Sequence, residues 1–286
     1  MINFNDIANE IIKANDLDVV RDKYLKEISE HRGRNVISYY SGWLTPKENG
    51  NYSIDDMDMN GIINAVGGLP KDRGLDIILH TPGGSPTATE GIVKYLRSNF
   101  NDVNVIIPQM AMSAGTMLAC SSNKIIMASH SCIGPVDPQF SGIPAYDIKK
   151  EFDNAKKEMT KNPASATYWS QILNKYPSAF YNIVKDAIDL SSELLKEWLR
   201  SYMFKGDASN PKITEIVKKL NSNNKSHAKH FCYDDCVTIG LKVEKLENDP
   251  KLHDLVLALH YSYNFTFNNA VVSKIIENHK GMRFIL

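Results

Sequence analysis

The sequence lacks an excess of charge of either sign. Its 286 residues carry 33 basic and 33 acidic side chains, so neither the basic surplus of a dedicated nucleic-acid binder nor long-range steering of a charged partner is expected. A long apolar run is missing too. The most apolar stretch, residues 103–128, is interrupted by Gln109, Ser113, Ser121, Ser122, Asn123 and Lys124, and falls short of the roughly 18 consecutive apolar residues that mark a membrane helix. Membrane insertion is therefore not expected. Cysteine is scarce: Cys120, Cys132, Cys232 and Cys236 lie in apolar or ordinary helical sequence. Residues 1–6 do not read as a secretory signal, so reduced thiols and a cytoplasmic protein are expected. There is no internal repeat and no low-complexity segment.

What is present is an apolar fraction of 43%, enough in a chain of this length for a full hydrophobic core. Apolar positions from Ile7 to Ile28 recur near the helical period and predict helix over residues 5–31. The β-branched and aromatic stretch 35–41 predicts a strand. Ser53 with Asp56 resembles a capping box opening a helix to residue 66. Strand, helix, strand, helix, strand then follow over residues 75–79, 87–98, 103–107, 113–121 and 124–128. Short links between them imply parallel strands with right-handed crossovers, an α/β core. Helices dominate residues 144–220, the clearest being 184–203. A short helix at 233–239, a strand at 241–246 and a helix at 252–267 come next, and 274–276 and 283–286 are expected to be extended.

Two turns carry the chemistry. The first is His80-Thr81-Pro82-Gly83-Gly84, directly after a strand. Successive glycines can expose backbone N–H groups that stabilise an oxyanion at the carboxyl edge of a parallel sheet; alternatively, the motif is a tight turn with no further task. The second, residues 110–116, again follows a strand and opens a helix. Ser113 there sits in the field of a helix N-terminus, with the Ala114 N–H directed toward an oxyanion formed beside it and small neighbours leaving room for a carbonyl. Its blander role is to cap the helix.

In that order, "TPGGSP", "AMSAGTMLA" and "SHSCIGPVDPQ" resemble the Clp protease/crotonase superfamily. Together with "GRNVISYYSGWL", "GIPAYDI" and "KIIENHKG", they resemble the serine dehydrogenase proteinase family, related to signal peptide peptidase A. The resemblance implies an α/β fold, a Clp protease/crotonase-like spiral of ββα units with an additional helical layer. It carries the nucleophile over to Ser113 and the oxyanion hole to Gly83, Gly84 and Ala114. It also implies a protein or peptide substrate and a homo-oligomer.

A serine hydroxyl needs a neighbour to take its proton. Where Clp-type enzymes place a histidine, this sequence has Pro135, Val136 or Asp137, so that triad is not evident. In signal-peptide-peptidase-like relatives the base is a lysine from a downstream helix. Lys149 is the first candidate, with Lys150, His130 and His80 as alternatives; Lys156 and Lys157 follow two turns later. Such a lysine must be desolvated, with a lowered pKa, whereas lysines at these positions ordinarily lie on a solvated face.

His227, His230, Cys232 and Cys236 are ligand types for zinc, but their order and spacing do not match a structural zinc site. No metal and no cofactor are expected. The chain divides into an N-terminal helical segment (1–32), an α/β core (33–142), and a helical layer with returning strands (143–286) packed on the core as one domain. Three functions compete: a serine peptidase acting through an acyl-enzyme at Ser113 with a Ser-Lys dyad, a catalytically inactive scaffold or regulatory protein of this fold, and a crotonase-type acyl-CoA enzyme. The last would need a carboxylate near the thioester, and neither glycine-rich turn offers a glutamate.

Overall fold

The computed structural model describes residues 2–207, 209–221 and 229–286. Two helices open it, α1 (Phe4–Ala14) and α2 (Val19–Arg32), where the apolar spacing predicted continuous helix. The break falls at Asn15, whose left-handed backbone (φ 51°) ends α1; asparagine tolerates that conformation better than most residues. Strand β1 (Asn35–Ser41) follows, then α3 (Asp58–Val66), β2 (Leu75–His80) and α4 (Pro86–Asn99). The expected capping box at Ser53 and Asp56 is not formed. Met57 is the N-cap of α3 and makes no side-chain cap, because residues 53–55 are drawn away to pair with the turn after β2.

The next stretch contains β3 (Val103–Ile107), β4 (Met110–Ala111), α5 (Ala114–Cys120) and β5 (Lys124–Met127). Short strands β6 (Cys132–Ile133), β7 (Gln139–Phe140) and β8 (Ile143–Pro144) lead into helices α6 (Ala145–Lys161), α7 (Ala166–Leu173) and α8 (Phe180–Trp198). Helix α8 runs on into a π-helical turn, Leu199–Met203. Then come α9 (Lys212–Asn221), β9 (Phe231–Cys232), α10 (Tyr233–Ile239), β10 (Val243–Lys245) and α11 (Pro250–Asn269). The C-terminal extended segments are β11 (Lys274–Asn278) and β12 (Arg283–Ile285).

Seven strands form the main sheet in the order β10-β5-β3-β2-β1-β11-β12. The first five are mutually parallel; β11 runs antiparallel to β1, and β12 to β11. The period-2 alternation of each strand feeds two cores. Ile37, Tyr39, Ile77, Leu79, Val105 and Ile107 face α3, α4, α5 and α8. Val36, Tyr40, Ile78 and Ile106 face α1, α2 and α11. A third, smaller cluster joins Ala145 and Ile148 of α6 to Val184 and Ile188 of α8. The structure is thus a mixed α/β fold around a large, mostly parallel sheet. Among the described residues no helix is long and apolar enough to cross a membrane.

Candidate active site

The carboxyl ends of β2 and β3 are tied together beyond the sheet. Thr81 N–H donates to the Met110 carbonyl (3.1 Å), and Met112 N–H donates to the Thr81 carbonyl (3.0 Å), so the two turns meet. In the first, Gly83 and Gly84 have φ of 97° and 153°, values that side chains with a Cβ rarely adopt. Close approach adds a second demand for glycine. A Cβ on Gly84 would lie 2.3 Å from the Ile54 carbonyl oxygen, and one on Gly83 would lie 2.7 Å from the Ser113 Cβ.

Residues 53–55 clamp this turn from the other side. Ile54 N–H donates to the Gly83 carbonyl and Ser85 N–H to the Ile54 carbonyl, both at 2.8 Å. In this parallel bridge the Gly83 carbonyl and the Ser85 N–H face Ile54, which turns the Gly84 N–H to the opposite edge. The Gly83 N–H is already engaged, donating to Thr81 Oγ1 (3.1 Å). Of the two glycines, Gly84 is therefore the one whose N–H is directed away from the clamp.

Ser113 stands in the second turn with φ 49° and ψ −115°, a conformation costing a non-glycine residue about 1–3 kcal/mol. Although it occupies the N-cap of α5, its side chain makes no capping hydrogen bond among the described residues. The hydroxyl is thus not used to cap the helix. Ala114, as the first residue of α5, has an N–H with no carbonyl of its own helix to reach. The turn is held by Gly115 N–H to Met112 O (2.7 Å) and Met117 N–H to Ser113 O (3.1 Å). Gly115 packs so closely on Thr81 that a Cβ would lie 2.4 Å from the threonine methyl. Thr116 Oγ1 accepts Gly134 N–H (3.0 Å) and lies 2.9 Å from Ala111 O, tying α5 to the segment that follows β6.

Ser113, Gly83 and Gly84 open on a cavity of about 500 Å³. Its other walls are residues 136–140 and the face of α8 bearing Ala187, Leu190 and Ser191. That size and a mostly apolar lining with a few polar groups suit an extended organic ligand. Ser53, Ser85, Gln139 and Ser191 supply neutral polar atoms, and Asp137, itself buried, is the one titratable side chain on the lining among the described residues.

The candidate bases lie elsewhere. His80 is buried on the strand, its Nδ1–H donating to the Ser41 carbonyl (3.0 Å) and its Nε2 3.2 Å from the side-chain amide of Gln109. Its ring stacks on Tyr40, and burial lowers its pKa to about 4. His130 is exposed, with Nε2 3.1 Å from the Pro108 carbonyl. Lys149 donates to Asp153 one turn along α6 (2.5 Å). That hydrogen bond raises its pKa, the opposite of what a neutral base requires. Lys150, Lys156 and Lys157 are exposed. Among the described residues, none of these six side chains lines the cavity.

Sequence reasoning had no view of the 53–55 clamp, of the α8 wall, or of Asp137 on the lining. Only Asp137 has a signal: it is one of the three positions, Pro135 to Asp137, that stand where Clp-type enzymes place a histidine. Of the four zinc-type residues His227, His230, Cys232 and Cys236, His227 falls outside the described residues. His230 and Cys232 are exposed, while Cys236 is buried with its thiol 3.6 Å from the Phe231 carbonyl.

A family model described as ClpP-like SDH-type serine proteinase matches residues 3–260. Two curated proteins of Methanocaldococcus jannaschii are similar to the chain. Uncharacterized protein MJ0137 is 33% identical over 183 residues, 61% of this chain and 63% of that protein. Uncharacterized protein MJ1495 is 30% identical over 186 residues, 65% of this chain and 57% of that protein. The matched region thus spans less than two thirds of the length of either relative.

Proposed function

The chain belongs to the ClpP-like SDH-type serine proteinase family, and from that premise we propose that it is a serine peptidase with Ser113 as nucleophile. The observation that carries this reading is the positive-φ backbone of Ser113, whose hydroxyl is not used for capping and borders the cavity beside Gly83 and Gly84. Ser113 Oγ attacks the scissile carbonyl, its proton passes to the base, and the carbonyl oxygen becomes an oxyanion. The N–H groups of Gly84 and Ala114 receive that oxyanion. Collapse breaks the C–N bond as the base returns the proton to the leaving amine, and water then releases the acyl group from Ser113.

The base in this proposal is Lys149, with Lys150 as the alternative, in a Ser-Lys dyad. Helix α6 follows, after β8, the segment 136–140 that walls the cavity. For Lys149 to act, substrate or assembly must release it from Asp153 and desolvate it. The substrate is a protein or peptide chain and the working form a homo-oligomer in the cytoplasm. The same reading takes β1, β2, β3 and β5 with their crossovers as the ββα spiral, and α6–α9 as the layer added to it. It keeps residues 1–32, 33–142 and 143–286 as parts of one domain.

A second reading, a catalytically inactive member of the fold, is favoured by one observation: no candidate lysine or histidine lines the cavity among the described residues. One experiment separates the two. A fluorophosphonate probe is expected to phosphonylate the full chain stoichiometrically and to leave Ser113→Ala unlabelled. A folded wild-type chain that stays unlabelled would overturn the peptidase and leave the inactive reading standing. If labelling occurs, Lys149→Ala and Lys150→Ala made separately test the dyad; unchanged rates in both would remove it.

A further inference from the structure

On the face of the sheet remote from the α3–α5 side, three segments distant in the chain converge. The turn after β5 brings His130. It is fixed by Ser131 N–H donating to the Ala128 carbonyl (3.0 Å) and Ser131 Oγ donating to the Ile107 carbonyl (2.7 Å). The 3-10 turn after β10, Leu246–Asn248, brings Glu247. The first turn of α11 brings His253, and Asp249 caps that helix by accepting the Leu252 N–H (3.0 Å). One ligating atom from each of His130, Glu247 and His253 lies within 4.8 Å of the other two.

The hydrogen bonds around the three leave complementary atoms unspent. Glu247 Oε1 accepts the Ser129 N–H (2.8 Å), whereas Glu247 Oε2 is buried with no hydrogen-bond partner among the described residues. His253 Nε2 is likewise buried and unpartnered among them. Leaving two such atoms dry and unpaired ordinarily costs about 1–3 kcal/mol each. His130 Nε2 faces the Pro108 carbonyl at 3.1 Å, which requires a proton on that nitrogen and leaves the lone pair on Nδ1. A carbonyl that sets the tautomer in this way is the usual outer partner of a metal-bound imidazole.

We infer that His130, Glu247 and His253 form a binding site for a divalent transition-metal ion of the zinc class. Two imidazoles and one carboxylate suit zinc better than magnesium or calcium, which prefer all-oxygen ligand sets. Ligands around a tetrahedral zinc sit roughly 3.4 Å apart at bond lengths of about 2.1 Å. Closing the site therefore requires an inward shift of about an ångström, which the exposed His130 is free to make. Water completes the fourth position. The ion would pin the turn after β5 to the start of α11, and that turn continues through β6 into the cavity wall at residues 136–140.

The test uses the full chain without a histidine tag, stripped by a chelator and titrated with Zn2+ against a chromophoric competitor. One ion per chain is expected, with a rise in melting temperature. Glu247→Gln and the surface variant His130→Ala are each expected to weaken binding by roughly 100-fold or more, since loss of an outer partner alone typically costs about 10–100-fold. Cys232→Ser is expected to change nothing, and the Co2+ form to lack the near-ultraviolet band of a cobalt–thiolate bond. Absence of saturable Zn2+ binding in the folded wild type overturns the inference, and would leave a bridging water between Glu247 and His253. Binding that survives both Glu247→Gln and His130→Ala, or that is lost in Cys232→Ser, overturns it as well.

Discussion

Ser113 pays for its position in backbone strain, and that strain is measurable. A glycine reaches φ 49°, ψ −115° without a clashing Cβ, whereas alanine keeps the clash and only loses the hydroxyl. Ser113→Gly is expected to be more stable than Ser113→Ala by about 1 kcal/mol, read from denaturant midpoints. The opposite holds one turn away. Gly84→Ala would drive a methyl to within 2.3 Å of the Ile54 carbonyl oxygen, and is expected to cost about 2–3 kcal/mol and to abolish fluorophosphonate labelling. Both positions were legible in the sequence because a glycine pair and a serine after predicted strands leave a local imprint. The proposed base was not, because whether a lysine is neutral depends on what surrounds it. For Lys149 that surrounding is Asp153, a partner that the pattern of residues 145–161 leaves on an ordinary solvated face.

At the scale of the element, the segment 53–55 matters more than its lack of regular structure suggests. It is anchored from below by Lys274 of β11, whose ammonium donates to the Ser53 carbonyl (2.9 Å) and pairs with Asp58 of α3 (2.6 Å), both side chains fully buried. Asp58 in turn accepts the Tyr39 hydroxyl (2.7 Å) and the Asp55 N–H (3.0 Å). Removing one partner leaves the other charge buried and uncompensated. Lys274→Met is therefore expected to lose about 3–5 kcal/mol of stability, and Lys274→Met with Asp58→Asn less than the sum of the two single changes. A thermal or urea melt of the three variants checks this. Nothing local announces the clamp: the pairing of Ile54 with Gly84 joins residues that are distant in the chain, so the local reading of Ser53 and Asp56 as a helix cap was the natural one. The interruption at Asn15 escaped for a related reason, since apolar spacing alone carries across a single left-handed residue.

For the molecule as a whole, the alternation of strand and helix over residues 75–128 was enough to read a parallel α/β core. The antiparallel addition of β11 and β12 was legible only as extended chain. Burial at the centre of the fold also sets a response to acid. His80 lies between the sheet and α11, stacked on Tyr40 and 6.0 Å from the His260 ring. Its folded pKa of about 4 lies below the ordinary 6.5. As pH falls through 6.5 the unfolded chain takes up the proton first, so the stability contributed by the neutral ring is lost between pH 6.5 and 4. The difference corresponds to roughly 3 kcal/mol. Chemical denaturation at pH 7 and pH 4 is expected to show a wild-type loss larger than that of His80→Asn by about this amount.

The strand order carries a consequence for how the chain is made. Strands β1, β2, β3 and β5 lie side by side in the order in which they are synthesised, so each new strand can dock on its predecessor as it emerges from the ribosome. The free edge of β1 has no such neighbour: Val36 N–H donates to the ring of His279, 243 residues later. Until β11 is made, the nascent protein displays an open edge at β1, a template for pairing with other chains. Truncation before residue 274 would make that exposure permanent, and such a product is expected to be captured by chaperones or to sediment, even with Ser113 and the other residues of the proposed site already in place.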